Sequence, residues 1–439
     1  MADLLTRRAA LRRAAPLMVA NLSTPVVGLV DTAVIGRTGS AEELAAVALG
    51  ALIFSILYWL LGFLRMGTTG LTAQAAGAGD EAAVWALLLR GVALAAGFGL
   101  LFVALQWPIR ELAFGALSGS ADVEAVGRAY FDARIWGAPA ALMGFVAYGW
   151  LIALGRTRQA LYLQLSLNIF NVGLDLYFVY GLDLGAPGVA AAAAWAQWLN
   201  LILVAWWVAR TARSRGAPRV AAADVLTAKA LRAVLVVNVD IFLRTASLLL
   251  GIAWFNEVSL RQGTVVLAAN AILLQIITAT SYFLDAFAHI TEAEAGRAMG
   301  ARSVKMLRQS LARTSEWAFI FGLLCGLLIW FGGPLAVHGL TTDPETRRIA
   351  TEYLGYCALV PLIGWPSWQM DGVMLGATRG PLMRNAMAVA LLGYLAMDAV
   401  LRPRFGIEGI WAAFLGYYVL RFVTLAVGYP SLERELRRP

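Results

Sequence analysis

Uninterrupted apolar runs long enough to cross a membrane recur along the whole chain of 439 residues. A run of about 20 apolar residues spans roughly 30 Å of hydrocarbon as a helix. Within a bilayer a helix satisfies its own backbone hydrogen bonds, so each run predicts a transmembrane helix. The composition agrees, because 60% of the residues are hydrophobic and 14% are charged, whereas a soluble domain carries about 25% charged residues. We therefore expect an all-α integral membrane protein.

The runs divide into twelve predicted spans. Those of the first half cover residues 14–36, 44–76, 84–107, 127–153, 159–182 and 187–210. Those of the second half cover residues 229–256, 264–298, 310–338, 349–376, 380–402 and 407–430. The polar stretch 211–228 predicts a cytoplasmic linker between them. It separates an N-terminal six-helix lobe, residues 1–210, from a C-terminal six-helix lobe, residues 229–439.

The two halves repeat each other in sequence. The segment 44–48 is answered by the segment 267–271, at an offset of 223 in the numbering. Five later positions repeat at an offset of 221, where Gly155, Thr157, Arg158, Gly185 and Gly188 are matched by Gly376, Thr378, Arg379, Gly406 and Gly409. Many transporters place a substrate site between two pseudo-symmetric bundles built from such repeats. The repeat therefore favours a carrier.

Positive charge marks one side of the predicted membrane. Arginines gather at the N-terminus, around 156–158, 210–219, 297–313 and 379–384, and in the C-terminal tail, and they alternate along the chain with acidic loops. Cytoplasmic loops carry the excess of Lys and Arg, so we expect both termini in the cytoplasm. The net charge of +8 is spread over these loops and forms no single stripe. It predicts no nucleic-acid partner.

Two predicted helices carry polar stripes at helical spacing. The first span has Asn21, Thr24, Gly28 and Asp31, and the fifth span has Gln164, Asn168, Asn171 and Asp175. Steps of three and four residues place each set on one helix face. Such faces are costly against lipid, so both are expected to line one interior cavity.

The two acids of these stripes have matching predicted depths, and we expect Asp31 and Asp175 to meet. Neighbouring carboxyl groups away from water exchange protons as one coupled pair, which is what a proton-coupled switch requires. The structural alternative is that each acid caps a helix end or anchors an arginine that the pattern does not reveal.

Pro25 lies in the middle of the first span, six residues before Asp31. Proline cannot donate to the carbonyl of Asn21, so the helix is expected to bend there, and Gly28 adds slack. One interpretation is a static kink. The other is a hinge that bends when protonation of Asp31 changes its contacts with the fifth span.

The second lobe carries a further group of polar residues. Asp240 and Arg244 are four residues apart on one predicted helix, which favours a local ion pair of structural role. Asp285 and Asp371 lie on two other spans. Each is open to two interpretations, a packing contact or a contact with ion or substrate.

Sequence motifs for covalent chemistry are missing. The chain has no Gly-x-x-x-x-Gly-Lys-Ser/Thr loop, no His-Glu-x-x-His, no Cys-x-x-Cys and no Gly-x-Ser-x-Gly. Such motifs serve ATP binding, zinc sites and acyl transfer. We therefore predict no enzyme activity, no bound metal and no cofactor.

Four segments resemble the MATE (multidrug and toxic compound extrusion) family, and among its branches the DinF group. They are residues 25–36 (PVVGLVDTAVIG), 65–74 (RMGTTGLTAQ), 171–175 (NVGLD) and 371–379 (DGVMLGATR). The resemblance covers essentially the whole chain. It implies a multi-pass antiporter of the bacterial inner membrane that exports amphipathic, often cationic compounds against H⁺ or Na⁺. Two lobes in a V shape would alternate access by rocking.

The resemblance also implies roles for single residues. The carboxylates matching Asp31 and Asp175 are associated with cation coupling, the amide matching Asn171 lies nearby, and the bend of the first helix falls at Pro25. Where some relatives place a hydroxyl on the sixth helix, this chain has the alanine run 190–194. That departure argues against a Na⁺ site.

We thus predict a proton-coupled multidrug exporter, a monomer in the lipid bilayer that acts on lipophilic or cationic small molecules and contributes to antibiotic resistance. The main alternative is a flippase of lipid-linked oligosaccharide or another lipid from the same superfamily, which would need a basic cavity. A membrane-embedded enzyme would need a cluster of nucleophiles or metal ligands. A receptor or scaffold would leave the repeat and the buried acids unexplained.

Overall fold

The computed structural model describes residues 4–116, 120–215 and 225–438. Throughout these ranges the regular elements are helices, as expected of an apolar chain that must satisfy its backbone inside a bilayer. The helices of the first half are α1 Arg7–Thr38, α2 Ala41–Leu60, α3 Phe63–Gly77, α4 Glu81–Ala104, α5 Gln106–Ala116, α6 Ala121–Arg134, α7 Ala138–Ala153, α8 Thr157–Asp175 and α9 Gly185–Arg215. A 3₁₀ turn, Ile135–Gly137, joins α6 to α7, and a π-helical turn, Leu176–Gly181, follows α8.

The second half continues the same pattern with longer helices. They are α10 Ala228–Arg261, α11 Thr264–Gly300, α12 Val304–Leu340, α13 Pro344–Glu352, α14 Leu354–Gly376, α15 Gly380–Ala426 and α16 Tyr429–Arg437. Gly406 has a left-handed backbone, φ 56°, and divides α15 into two pieces.

These helices give the membrane-spanning fold that the sequence predicts. Nine stretches of the described chain are long and apolar enough to cross a bilayer. The last of them contains the break at Gly406 and therefore two crossings. The helices over 157–181 and 344–376 complete a fold of twelve spans. The prediction of an all-α membrane protein with about twelve helices is confirmed, although the predicted span 44–76 consists of two helices, α2 and α3.

Side-chain caps fix several helix starts at the ends of the spans. Ser40 and Glu43 form a capping box at the start of α2. Asp80 accepts from the backbone N–H of Ala83 at 2.8 Å at the start of α4, and Asp343 caps α13 in the same way. Such caps pair backbone donors that a helix leaves unsatisfied at its N-terminus.

The chain divides into two compact units. The N unit contains Val19–Ala76 and Asp80–Val236, and the C unit contains Met1–Met18, Gly77–Gly79 and Val237–Pro439. The start of α1 belongs to the C unit, where Arg7 pairs with Glu316 at 2.6 Å and Arg13 pairs with Glu294. Of the predicted linker 211–228, residues 216–224 lie outside the described part of the chain.

The sequence repeat follows the helix boundaries with one change of register. The starts of α2, α4, α6 and α8 match the starts of α11, α12, α13 and α15 at the same offset of 223. The left-handed residues Gly155 and Thr378 also match at 223. The predicted pairing of Gly155 with Gly376 at 221 is therefore wrong for this turn, because the identical letters are displaced by two positions from the structural match.

An offset of 221 appears only after α8. It relates the left-handed glycines Gly185 and Gly406. The N unit therefore has two more residues between Asp175 and Gly185 than the C unit has between the equivalent Asp398 and Gly406. The π-helical turn Leu176–Gly181 occupies this stretch, with Leu182 N–H donating to the carbonyl of Tyr177 at 3.1 Å. Wide turns of this kind occur inside α-helices most often at functional sites.

Candidate functional site

Two acidic side chains meet inside the N unit. Asp31 lies in the last quarter of α1, and Asp175 is the last residue of α8. Asp175 is fully buried and Asp31 is half-buried. Their carboxyl groups are within hydrogen-bonding reach of each other. Two carboxyl groups so placed bind and release protons as one coupled unit.

The pair has few donors around it. Among the described residues, no N–H or O–H group donates to either oxygen of Asp175 or to Oδ1 of Asp31. The buried Oδ1 of Asn171, one helical turn before Asp175, is likewise unpaired. Buried polar atoms without a partner are uncommon, and each one calls for an explanation such as a bound ion or a functional role. These oxygens are free to accept a proton or another cation.

A guanidinium lies beside the pair. Arg134, the last residue of α6, interacts electrostatically with both Asp31 and Asp175. Its Nη1 donates to Oη of Tyr130 at 2.7 Å, and its charge lies 5.2 Å from the centre of the Phe54 ring. The site therefore contains two carboxyl groups and one positive charge, held in place by aromatic side chains.

The remaining surroundings are apolar. Val34 and Ile35 of α1, Val179 of the π turn and Ala190 of α9 belong to the same buried cluster as Tyr130. In such low-dielectric surroundings each electrostatic interaction is stronger than in water. Residues of α1, α6, α9 and the π turn after α8 thus pack together around the acid pair.

A second contact joins α1 to α8 below the acids. Nδ2 of Asn168 donates to Oγ of Ser23 at 2.8 Å and to the backbone carbonyl of Ser23 at 3.1 Å. Gln164 donates to Oδ1 of Asn168 at 3.1 Å. Asn21 is half-buried and Thr24 is exposed. Between the two polar stripes, the structure thus brings Asp31 and Asp175 together, whereas Asn168 contacts Ser23, which lies outside the predicted stripe of α1.

The predicted hinge lies between these two contacts. Pro25 and Gly28 are both exposed, and α1 continues as α-helix through them from Arg7 to Thr38. No heavy atom lies within 4 Å of the position that a Cβ on Gly28 would take. This side of α1 has room to move, and the hinge stays a prediction.

In the C unit, Asp240 and Arg244 take separate partners. Nη2 of Arg244 donates to Oδ2 of Asp371 at 2.6 Å, and Nη2 of Arg421 donates to the same oxygen at 2.8 Å. Asp240 pairs with Arg384 at 2.7 Å. The predicted local pair of Asp240 with Arg244 is therefore wrong, because carboxylates and guanidiniums on neighbouring helices compete successfully for both members. Asp371 is held in a buried triad with two arginines.

Asp285 lies on α11, in the same unit as that triad. It is half-buried and interacts electrostatically with Tyr282 and Tyr418. Within the described ranges, no group of three or more His, Cys, Asp and Glu side chains is arranged to hold a metal ion.

The two units have different side chains at one of two equivalent positions. At the offset of 223, Asp31 corresponds to Trp254 and Asp175 corresponds to Asp398. In the C unit Nε1 of Trp254 donates to Oδ2 of Asp398 at 3.1 Å, and Arg402 pairs with the same oxygen at 3.2 Å. Both units thus bring the same two positions into contact. Only in the N unit are both of them acids.

Several residues of these networks escape the sequence pattern. They are Tyr130 and Arg134 at the acid pair, Asp398 and Arg402 at the equivalent position, and Arg421 in the triad. Asp398 and Arg402 are four residues apart on one predicted span, a spacing that favours an ion pair. For Arg134 and Arg421 the available signal is their charge, because a charged side chain at membrane depth requires a partner.

Sequence comparison finds a family model and relatives that cover most of this chain. The family model MatE matches residues 16–177 and 238–397. The chain is 35% identical over 415 residues to the DNA damage-inducible protein F of Escherichia coli, covering 94% of this chain and 90% of that protein. It is 24% identical over 418 residues to a probable multidrug resistance protein NorM of Acinetobacter baylyi, covering 90% and 89%.

A solved structure has a similar fold. It is a transporter of the MOP superfamily from Pyrococcus furiosus, with a TM-score of 0.89, covering 99% of this chain and 97% of that one. The identity is 19%, so this comparison supports the fold alone. The polar pairs described above must be interpreted from this chain's own residues.

Proposed function

The chain belongs to the MatE family of multidrug efflux transporters, which are not enzymes, and from this premise we propose an H⁺-coupled antiporter that exports amphipathic or cationic compounds. The observation that carries the proposal is the contact between Asp31 and Asp175. It is a pair of carboxyl groups with unpaired oxygens inside a membrane-spanning unit. Ionisable residues at membrane depth commonly belong to proton relays or ion pathways.

Coupling requires that protonation and substrate binding alternate. A proton entering from outside would neutralise one acid of the pair and strengthen the hydrogen bond between Asp31 and Asp175. That bond would draw α1 toward α8 above the fixed contact of Ser23 with Asn168. The section of α1 between the two contacts contains Pro25, so a bend there would reshape the cavity and favour release of the compound.

Three other acids of the spans are less suited to this role. Asp240, Asp371 and Asp398 each have an arginine within 3.2 Å. A carboxylate that already has a guanidinium partner gains little from a proton, because protonation would leave the arginine without its counter-charge. The acid pair of the N unit is therefore the proposed coupling site.

The proposed substrates are lipophilic or cationic small molecules. The chain has 15 Trp, 13 Tyr and 19 Phe, and aromatic walls bind such compounds by burial of apolar area and by cation–π contact. Its relative in Acinetobacter baylyi is described as a probable multidrug resistance protein. We also propose that the protein acts as a monomer in the bacterial inner membrane, with both termini in the cytoplasm.

A flippase for lipid-linked oligosaccharide or another lipid is the second candidate. One observation favours it, the buried triad in which Arg244 and Arg421 share the single carboxylate of Asp371 and leave one net positive charge. Positive charge is suited to a phosphate head group. The Pyrococcus furiosus transporter is described as having a binding pocket of reverse polarity, which suggests a different function for that protein. Pocket polarity in this chain therefore needs a direct test.

Efflux from reconstituted vesicles tests the proposal. A fluorescent lipophilic cation is loaded, and a pH gradient or a sodium gradient is imposed separately. We expect the pH gradient to drive efflux in the natural protein and not in Asp31→Asn or Asp175→Asn. Asp80→Asn is the matched control, because Asn caps a helix about as well as Asp and Asp80 is an exposed acid at a turn.

The outcomes separate the candidates. Efflux that is unchanged in Asp31→Asn and Asp175→Asn would remove the acid pair from the mechanism. Absence of cation efflux, together with movement of a fluorescent pyrophosphate-linked lipid between leaflets, would favour the flippase instead.

A further inference from the structure

We propose that Arg134 is a specificity-determining residue that restricts the acid pair to protons, because its guanidinium holds a fixed positive charge beside the pair that would repel a bound sodium ion. The inference rests on the proposed function, since it concerns the coupling ion of that same site. It begins from the position of a fixed positive charge beside Asp31 and Asp175. Neither the stripes of the sequence nor the repeat assigns Arg134 a role.

The position of this guanidinium is fixed from several sides. It donates to Oη of Tyr130 at 2.7 Å. It also lies over the rings of Phe54 and Tyr130, at 5.2 and 5.7 Å from their centres. Phe54 and Tyr130 are both fully buried. Cation–π contacts and a hydrogen bond from a rigid planar group hold an arginine with little freedom.

The titratable groups that face Arg134 come from four helices. They are the carboxyl groups of Asp31 on α1 and Asp175 at the end of α8, and the neutral phenols of Tyr58 on α2 and Tyr130 on its own helix. Two ionised carboxyl groups and one guanidinium leave a single negative charge. One proton neutralises it and needs no space beyond the hydrogen bond between the acids.

A sodium ion could use the unpaired oxygens of Asp31, Asp175 and Asn171, but it would find few further ligands around them. Hard cations bind through several oxygen ligands at once. The oxygen of Tyr130 already accepts from Arg134. On α9 the run 190–194 consists of alanines, and Ala190 is buried in the same cluster as Tyr130. A bound sodium ion would also be close to a like charge in a low-dielectric interior, where repulsion is strong.

Replacing Arg134 with a neutral residue should therefore allow Na⁺ to bind at the acid pair. The variants are Arg134→Gln and Arg134→Met, the second of which keeps an apolar stem against Phe54. Arg134→Lys is the charge-retaining control. Efflux is measured in vesicles at one fixed pH gradient, with NaCl added equally on both sides and choline chloride matching the ionic strength. Thermal unfolding in detergent reports whether each variant is folded.

We expect Na⁺ to leave efflux by the natural protein and by Arg134→Lys unchanged. In the neutral variants Na⁺ should compete with H⁺ and inhibit efflux, with an apparent Na⁺ affinity at least about fivefold higher, as for a coupling between adjacent sites. A purely structural role for Arg134 would lower efflux in these variants equally in both salts.

Two results would overturn the inference. One is efflux by folded Arg134→Gln or Arg134→Met that depends on the pH gradient and has the same rate with and without Na⁺. The other is Na⁺ competition or Na⁺ binding in the natural protein, a measurement that does not depend on any variant folding. Both are distinct from failure of the proposed function, which shows in Asp31→Asn and Asp175→Asn while Arg134 is intact.

Discussion

Asp175 and Asp398 occupy equivalent positions in the two units, related by the offset of 223, and both are fully buried. Asp398 accepts from Trp254 and from Arg402. Asp175 instead meets the carboxyl group of Asp31. The same helical framework thus holds a neutralised acid in one unit and a coupled acid pair in the other.

The first prediction concerns the neutralised acid. Arg402→Gln leaves Asp398 buried with only the indole N–H, so we expect a loss of about 2–3 kcal/mol in stability, as for other buried charges that lose a partner. Thermal unfolding in detergent measures it. The control is Arg404→Gln, since Arg404 is exposed on the same helix. Equal unfolding temperatures for the two variants would contradict a structural role for the pair.

The second prediction concerns the contact between α1 and α8. Asn168→Ala removes both hydrogen bonds to Ser23, whereas Ser23→Ala removes only the one to Oγ. Interhelical bonds in membranes average about 0.6 kcal/mol, so both variants should fold, and efflux should fall further in Asn168→Ala. The control is Thr32→Val, because Thr32 bonds only within its own helix, to the carbonyl of Gly28. Efflux by Asn168→Ala that is equal to or faster than efflux by Ser23→Ala would contradict the prediction.

The third prediction concerns the hinge. Pro25→Ala restores a backbone donor to the middle of α1 and should stiffen it. We expect efflux per folded molecule to fall while the unfolding temperature stays the same or rises. Pro403→Ala, at an exposed proline inside α15, is the control and should retain efflux. Efflux by Pro25→Ala at the rate of the natural protein would contradict a hinge at Pro25.

The fourth prediction concerns the packing beneath Arg134. A Cβ on Gly50 would overlap the ring of Tyr130, so Gly50→Ala must displace that ring or α2. Overpacking of this kind costs about 1–3 kcal/mol. Gly97→Ala is the matched control, since nothing lies within 4 Å of its Cβ position and alanine favours the helix. We expect Gly50→Ala alone to lower both the unfolding temperature and proton-driven efflux.

The sequence predicts the fold well because apolar length is a strong signal in a bilayer. The predicted spans recover the helices, but hydropathy does not reveal the break between α2 and α3, because Leu61 and Gly62 are both compatible with an apolar helix. The left-handed break at Gly406 falls between the predicted spans 380–402 and 407–430. Helix ends depend on local caps and turns, which hydropathy does not register.

The candidate site is only partly predictable. Periodicity identifies Asp31 and Asp175, because each ends a stripe. It cannot identify Arg134, whose partners lie on three other helices, or choose between Arg244 and Arg384 as partner of Asp240. Ion pairs between helices depend on packing angles and rotamers. Spacing along one helix carries no information on either.

The π-helical turn after Asp175 implies that the two halves are no longer interchangeable. A chimera with residues 380–405 in place of residues 157–184 would be shorter than the natural chain by two residues. Its sixth helix, α9, would then follow α8 through a shorter turn. The two units thus differ in helical pitch at this point, and at one pair of equivalent positions the C unit has an indole where the N unit has a carboxyl group.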